Sequence, residues 1–409
     1  MIKFNSFIAE EKNTHMTHIE DLLLDGGVKG ARQAINALQS MRDMLAGNAK
    51  KKTKITVKWD GAPAVFAGTD PTDGKFFVAK KGIFNKNPKV YKNHKEIDAD
   101  TSGDLSDKLK LAFDELSKLN IKGVIQGDIM FTKDDLKSEK IDGVDYWIFH
   151  PNTIAYAVEK NSDEGKRVRA ARIGIVFHTV YKGSSFENMS ASYGFDINTL
   201  KHGNTLWAVS ADLKDMSGTV TMTKAETELV TAQLSRAGTL FRQVPGAFFD
   251  TLKDNDKLNI IVNSFNNTFY RNKTSQPNPA AKVKGLMNYI KSKQSADVNK
   301  LSTEVAKQRK TAEYAVIMNL IDANNMAKVF EMQQLLSDAK LIIINKLNTL
   351  NMTKTFVKTS NGYKVTKAEG FVAIDTIAGG AVKLVDRLEF STNNFDPDVV
   401  KGWQSATRR

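Results

Sequence analysis

Apolar positions recur three and four residues apart in the first well-patterned stretch. THIEDLLL opens with Thr17 as an N-cap, and GARQAINALQSMRDMLAG keeps the spacing up to Gly47, so residues 1–50 read as a helical N-terminal segment. The lysine-rich NAKKKTK follows, and from Ile55 the period changes to that of strands. ITVKWDG, APAVFAG, KFFVAKKG, GVIQGDIMF, YWIFH and IGIVFHTVYKG follow in turn, interrupted by one helical pattern at LSDKLKLAFDELSKL. Residues 223–352 are helical again, through AETELVTAQLSRAG, DKLNIIVNSFNNTFY and the stretch Lys300–Leu347. The loop RNKTSQPNPAAK, with Pro277 and Pro279, divides this block. Strand patterns return in TFVKTS, GYKVT, EGFVAID and GAVKLVDRLEF. The pattern predicts an α+β fold with mixed, mostly antiparallel sheets. One β-rich domain, 51–222 and 353–409, is split by a helical insertion and preceded by a helical segment. No internal repeat is visible.

Composition narrows the chemistry. Cysteine is absent from the 409 residues, which excludes disulfides, thiolate catalysis and cysteine-based zinc sites. No apolar run reaches the length of a membrane span and the N-terminus lacks a signal-peptide core, so the expected location is cytoplasmic. The net charge of +13 favours a polyanionic partner such as nucleic acid.

Lys58-Trp59-Asp60-Gly61 is the stretch with chemical potential. A lysine before an Asp-Gly turn is ordinary on a hairpin. As a nucleophile it must lose a proton from an amine whose ordinary pKa is about 10.4. Nearby positive charge, desolvation or a metal on the substrate would lower it, and the glycine would let a ligand approach the backbone.

The order of the remaining segments resembles that of the covalent nucleotidyltransferases: ATP-dependent RNA and DNA ligases and mRNA-capping enzymes. Lys58-Trp59-Asp60-Gly61 resembles their motif I, whose lysine becomes joined to AMP or GMP; Asp60 and Gly61 would then lie at the nucleotide. FFVAKKG resembles the following segment, closest to the phage RNA ligase version, with Lys81 at the nucleotide. VIQGDIMF resembles motif III, with Asp128 near the ribose, and IVFHTVYKG the next motif, with Phe177 stacked on the purine. EGFVAID resembles motif IV, with Glu369 as the metal-associated carboxylate. AVKLVDR resembles motif V, with Lys383 at the α-phosphate.

This chain departs from the pattern in places. Val385 stands where a second motif V lysine is usual, leaving Arg387 as its substitute; Asp128 replaces the commoner glutamate; and His178 stands where many ligases carry aspartate. The long span from Phe177 to Glu369 is what the helical insertion accounts for.

The resemblance implies a nucleotidyltransferase core of ATP-grasp-like ligase type, with ATP and Mg²⁺ as cofactors. The enzyme it implies is an RNA ligase of phage RNA-repair type, working in the cytoplasm of an infected cell, with RNA preferred to DNA. It would form lysyl-AMP, pass AMP to a 5′-phosphate and seal that end to a 3′-hydroxyl. The rivals are a capping-type guanylyltransferase and a nucleic-acid-binding protein that kept the fold without turnover.

Other features stay open in the sequence. His15 and His18 are spaced for a metal on a helix, or mark a helix start at the surface. KGIFNKNPKVYKNHK interleaves Phe84 and Tyr91 with lysines, as a nucleic-acid contact or as a solvated loop. GKRVRAARIG reads as a phosphate-holding run or as the charged approach to a strand.

Overall fold

The computed structural model describes residues 17–47, 54–193, 197–200, 203–211, 222–349, 354–374 and 381–402. Helices of eight residues or more are numbered here. The described residues begin with a turn of 3-10 helix, Ile19–Asp21, and α1, Gly27–Leu45. There follow β1 (Lys54–Lys58), β2 (Ala64–Thr69), β3 (Phe76–Ala79), α2 (Gly103–Leu116) and β4 (Val124–Thr132). Next come β5 (Lys137–Ile141), β6 (Val144–Phe149), β7 (Ile154–Glu159), α3 (Asp163–Ala170), β8 (Ile173–Lys182), β9 (Ser190–Tyr193) and β10 (Leu206–Ser210). The helical block is α4 (Lys224–Gln243), α5 (Gly246–Asp254), α6 (Asp256–Arg271), α7 (Pro279–Asn299), α8 (Glu304–Asn319) and α9 (Ala323–Asn348). The chain closes with β11 (Lys354–Thr359), β12 (Gly362–Val365), β13 (Gly370–Ile374), β14 (Ala381–Leu384), α10 (Arg387–Phe395) and β15 (Val399–Val400).

The fold is α+β with mostly antiparallel sheets, as the alternating patterns predict. β1, β13 and β14 form a small sheet in that order; β10-β8-β4-β2-β3 form a second, with β9 on β8; β12-β11-β7-β6-β5 form a third, with β15 on β11. The β10–β8 pair is parallel. Three local readings change. The strand pattern GAVKLVDRLEF ends as strand at Leu384, and its DRLEF part is the cap Asp386 and the first turn of α10. The basic run GKRVRAARIG is mostly helix, because Ser162 caps α3 by accepting from the Gly165 amide and the strand starts only at Ile173. Thr17 does not cap a helix: its carbonyl accepts a hydrogen bond from Lys383.

Alternation along the small sheet decides what it packs on. Ile55, Phe371, Ala373, Val382 and Leu384 turn to one side and join the buried core of the helices, with Leu38, Leu234, Phe330 and Leu336. The helical block is therefore the back wall of this sheet. The second sheet buries one face under α2, through Val65, Ile125, Ile175 and Leu109. Its other face meets the third sheet through Met130, Val176, Phe149 and Tyr156.

A shared core implies shared melting. Phe371 is fully buried between the sheet and the helices, so Phe371→Ala should cost about 3–5 kcal/mol in denaturant unfolding. Helical and strand signals should be lost in one transition. Two separated transitions would mean that the helices and the sheet stand independently.

Candidate active site

Lys58 ends β1 and pairs directly with Gly370, the first residue of β13. Thr56, Val372 and Lys383 stand opposite one another across the sheet, on the face turned away from the helices. Gly370 has φ +150°, and a Cβ there would lie 2.5 Å from the Leu384 carbonyl oxygen, so only glycine fits. Glu369, just before it, meets Lys58: Oε1 forms an ion pair with Nζ, with the carboxylate side chain 7% exposed and the lysine 25%. Glu369 Oε2 is enclosed and unpartnered.

The turn after Lys58 is fixed from several directions. The Trp59 ring lies 4.9 Å from that of Tyr156 and 6.2 Å from that of Trp207. Asp60 accepts from Asn152 Nδ2 at 2.8 Å and from the amides of Thr153 and Ile154 at 2.7 and 3.0 Å, and its own amide donates to the Tyr156 hydroxyl at 2.6 Å. Both carboxylate oxygens are thus committed to β7 and the turn before it. Asp60 holds Lys58 in place; that corrects its expected role at the nucleotide. Gly61 needs correction too. A Cβ there would lie 2.6 Å from Asp128 Cβ and 2.7 Å from Met130 Sδ, so strand β4 makes the close approach that a ligand was expected to make.

Asp128 sits in β4 opposite Ala64 and Val176. Strand β8 bulges at His178, between Phe177 opposite Gly127 and Thr179 opposite Gln126. Such a bulge re-aims a side chain, and His178 Nε2 comes 3.7 Å from Asp128 Oδ2. Phe177 is only 1% exposed and packs beneath α2 with Ile129 and Leu109, on the other face of the sheet. It cannot stack on a base there. That expectation is corrected by strand alternation itself.

The lysines also separate. Lys80 pairs with Asp100 at 3.0 Å, while the charge of its neighbour Lys81 acts on Asp128 and Lys383. Lys383 faces the site, its ammonium pushed down by burial and then by Lys58. Val385 is buried and apolar. Arg387 does not replace the missing lysine. It donates to Asp21 at 2.8 Å and to Asn267 at 2.6 Å, and lies 4.2 Å from the Tyr270 ring centroid, in a separate buried cluster.

The wider sequence candidates resolve in the same way. His15 lies outside the described residues, and His18 pairs with Lys383, its Nδ1 enclosed and unpartnered. In the basic loop, Lys80, Lys89 and the Tyr91 hydroxyl converge on Asp100, and Lys92 on Asp70 and Asp73. Those cations are largely neutralised within the fold.

Electrostatics at the site run against a simple nucleophile. Burial pulls the Lys58 ammonium down, but the Glu369 carboxylate and its hydrogen bond, then Asp60 and Asp128, outweigh it, and the net direction is up. The expected lowering is therefore absent without a nucleotide. Burial raises the Glu369 carboxyl to about 7, with Lys58 opposing, and the Asp128 carboxyl to about 7, with Lys58 and Lys81 opposing. His178 is lowered to about 4 by burial and then by Lys58, so it is neutral at physiological pH.

A metal ion would find limited protein ligation here. Among the described residues no group of three or more carboxylates or imidazoles is placed to hold one. Glu369 Oε2 is nevertheless a buried oxygen without a partner, which fits an ion carried mainly by nucleotide phosphates and water and held by one carboxylate. A cleft opens beside Glu369, lined by Asp60, Thr153, Lys367, Asp386, Glu389 and Asn394. Carboxylates outnumber Lys367 in its lining, which disfavours a polyanion there.

Among the described residues no helix is long and apolar enough to cross a membrane. A family model described as a family of unknown function (DUF6267) matches residues 13–398. No curated protein and no solved structure matches the chain.

The raised Asp128 carboxyl has a measurable consequence. Its folded value of about 7 exceeds its ordinary 3.8, so its contribution to stability is complete at low pH and is lost as pH rises through about 7. Asp128→Asn removes that loss. Its gain over wild type in chemical denaturation should grow from pH 4 to 7 and then level off, on the order of 1–3 kcal/mol. A gain independent of pH would contradict the electrostatic assignment.

Proposed function

The chain belongs to this family, which brings no activity with it, and we propose from its site that it is an ATP-dependent RNA ligase. One observation carries the reading. Lys58, Asp128, Glu369 and Lys383, from strands scattered along the chain, interact electrostatically around one amine, with Lys81 acting on Asp128 and Lys383. The segments that resemble the nucleotidyltransferase motifs supply these residues. The net charge of +13 supports a polyanionic substrate, and the likeness of the Lys81 segment to phage RNA ligases favours RNA.

In the resting protein Lys58 is an ammonium paired with Glu369. Before attack one proton passes from Lys58 through Glu369, whose carboxyl lies near 7, to solvent, and Glu369 is left ionised. The Lys58 nitrogen then bonds to the α-phosphorus as the bond to the bridging oxygen breaks, and pyrophosphate leaves with that electron pair. A second proton departs from the nitrogen to solvent. Lys383 and Lys81 offset charge growing on the phosphate oxygens. Magnesium bound with the nucleotide, and held by Glu369, would supply further positive charge beside the amine. AMP next passes to a 5′-phosphate, and a 3′-hydroxyl displaces it to close the strand.

Arg387, committed to Asp21, favours a second reading: a fold of this type without turnover. Labelled ATP and GTP, followed by a denaturing gel and a sealing assay on 5′-phosphorylated RNA, separate the possibilities. The ligase reading expects label from ATP alone and sealed RNA, both abolished in Lys58→Arg. Label from GTP alone would indicate a guanylyltransferase, and no label from either would indicate a protein without turnover. Because Lys58 is raised, uptake should accelerate with pH from about 6 to 9. A rate that falls over this range would contradict the amine as nucleophile.

A further inference from the structure

We infer that the buried turn Thr17–Asp21 is a working part of the nucleotide site, as the element that positions Lys383. The inference rests on the ligase reading for its catalytic consequence, and on geometry alone for the fastening. Strand β14 has four residues and lies at the edge of its sheet. On one side it pairs with β13; on the other, among the described residues, it meets this turn. The Lys383 amide donates to the Thr17 carbonyl at 3.1 Å, and His18 pairs with Lys383 in parallel. A short edge strand without that second neighbour would open readily.

The turn is pinned in its own right. Glu20, 2% exposed, accepts from Lys340 of α9 at 2.7 Å, and Gln333 donates to the Glu20 carbonyl at 3.4 Å. Past the strand, Arg387 completes the fastening. One guanidinium nitrogen donates to Asp21 and another to Asn267, while its central carbon lies 4.2 Å from the Tyr270 ring centroid. The segment that carries Lys383 is therefore tied to one turn at two points, Lys383 and Arg387. A fork-shaped cation suits this place because it reaches an acid and an amide together and lies over a ring; an ammonium would do less.

Position is what Lys383 contributes. Burial, then Lys58, push its ammonium down and Glu369 only partly offsets them, so a phosphate placed beside it would stabilise it further. Displacement by a fraction of the strand spacing would misalign the α-phosphate with the Lys58 amine. Arg387, expected from the sequence at the phosphate, acts instead as a positioning residue through Asp21.

The test compares wild type, Asp21→Asn, Arg387→Lys and Arg387→Met by hydrogen–deuterium exchange and by single-turnover nucleotide uptake. Exchange in the peptide spanning residues 381–387 should rise roughly tenfold or more in Asp21→Asn and Arg387→Met, with the β13 peptide and the global melt unchanged. Nucleotide uptake at saturating ATP should slow roughly 10- to 100-fold, with ATP affinity little altered and Arg387→Lys partly restored. Unchanged exchange would overturn the fastening. Raised exchange with an unaltered rate, or a loss confined to the melt, would overturn the positioning of Lys383. A wild-type protein that takes up no nucleotide would sink the ligase reading, while exchange would still decide the fastening.

Discussion

The contact between the Lys58 ammonium and the Glu369 carboxylate is the constraint on which the site is built. It joins strands that the chain places far apart, and it exists because β1 and β13 pair in one register, Lys58 opposite Gly370. A one-residue slip would turn Lys58 toward the helical core and bury an unpaired charge. The helical block keeps that register. Phe371, Val382 and Leu384 bury their side chains against it, so shape complementarity behind the sheet fixes which residues emerge in front.

The same contact sets the chemical character of the site. A lysine beside carboxylates is held as an ammonium, and carboxylates in a dry setting are held close to neutral pH. Each group is poised by the others. Under the proposed function an arriving polyphosphate would change the balance, because it would bring negative charge to Lys58, Lys81 and Lys383 at once. Asp60 and Tyr156 fix the position of the turn after the lysine, since it is bound to β7 through backbone amides and the Tyr156 hydroxyl.

Much of this was legible in the chain, and the remainder was hidden for physical reasons. The change from helical to alternating period marked β1–β4, β6, β8 and β11–β14, and the mostly antiparallel α+β character followed, but β5, β7, β9, β10 and β15 went unread. Lys80 and Lys81 stand past the end of β3, at the 3-10 turn that follows, so strand alternation does not choose between them. Alternation does place Phe177 with Ile173 and Ile175 under α2, away from the site; the bulge at His178 leaves no clear mark in residue type. Asp60 looked like a ligand contact because an Asp-Gly pair is equally at home in a turn and a binding loop. Only its amide partners, distant in sequence, decide. Arg387 lay four residues past Lys383 with no sign that a helix begins at it and that Asp21 waits across the core. Tyr156 and Asn152 carried no motif, and their roles arise from packing alone.

The account stands or falls on a covalent bond at one nitrogen. Intact-protein mass spectrometry after incubation with ATP and magnesium, with peptide mapping of the product, reads that bond directly. The account predicts a gain of one AMP located on the peptide that contains Lys58 and reversed by added pyrophosphate. An unchanged mass in well-folded wild-type protein, or a nucleotide found on a different lysine, would contradict it.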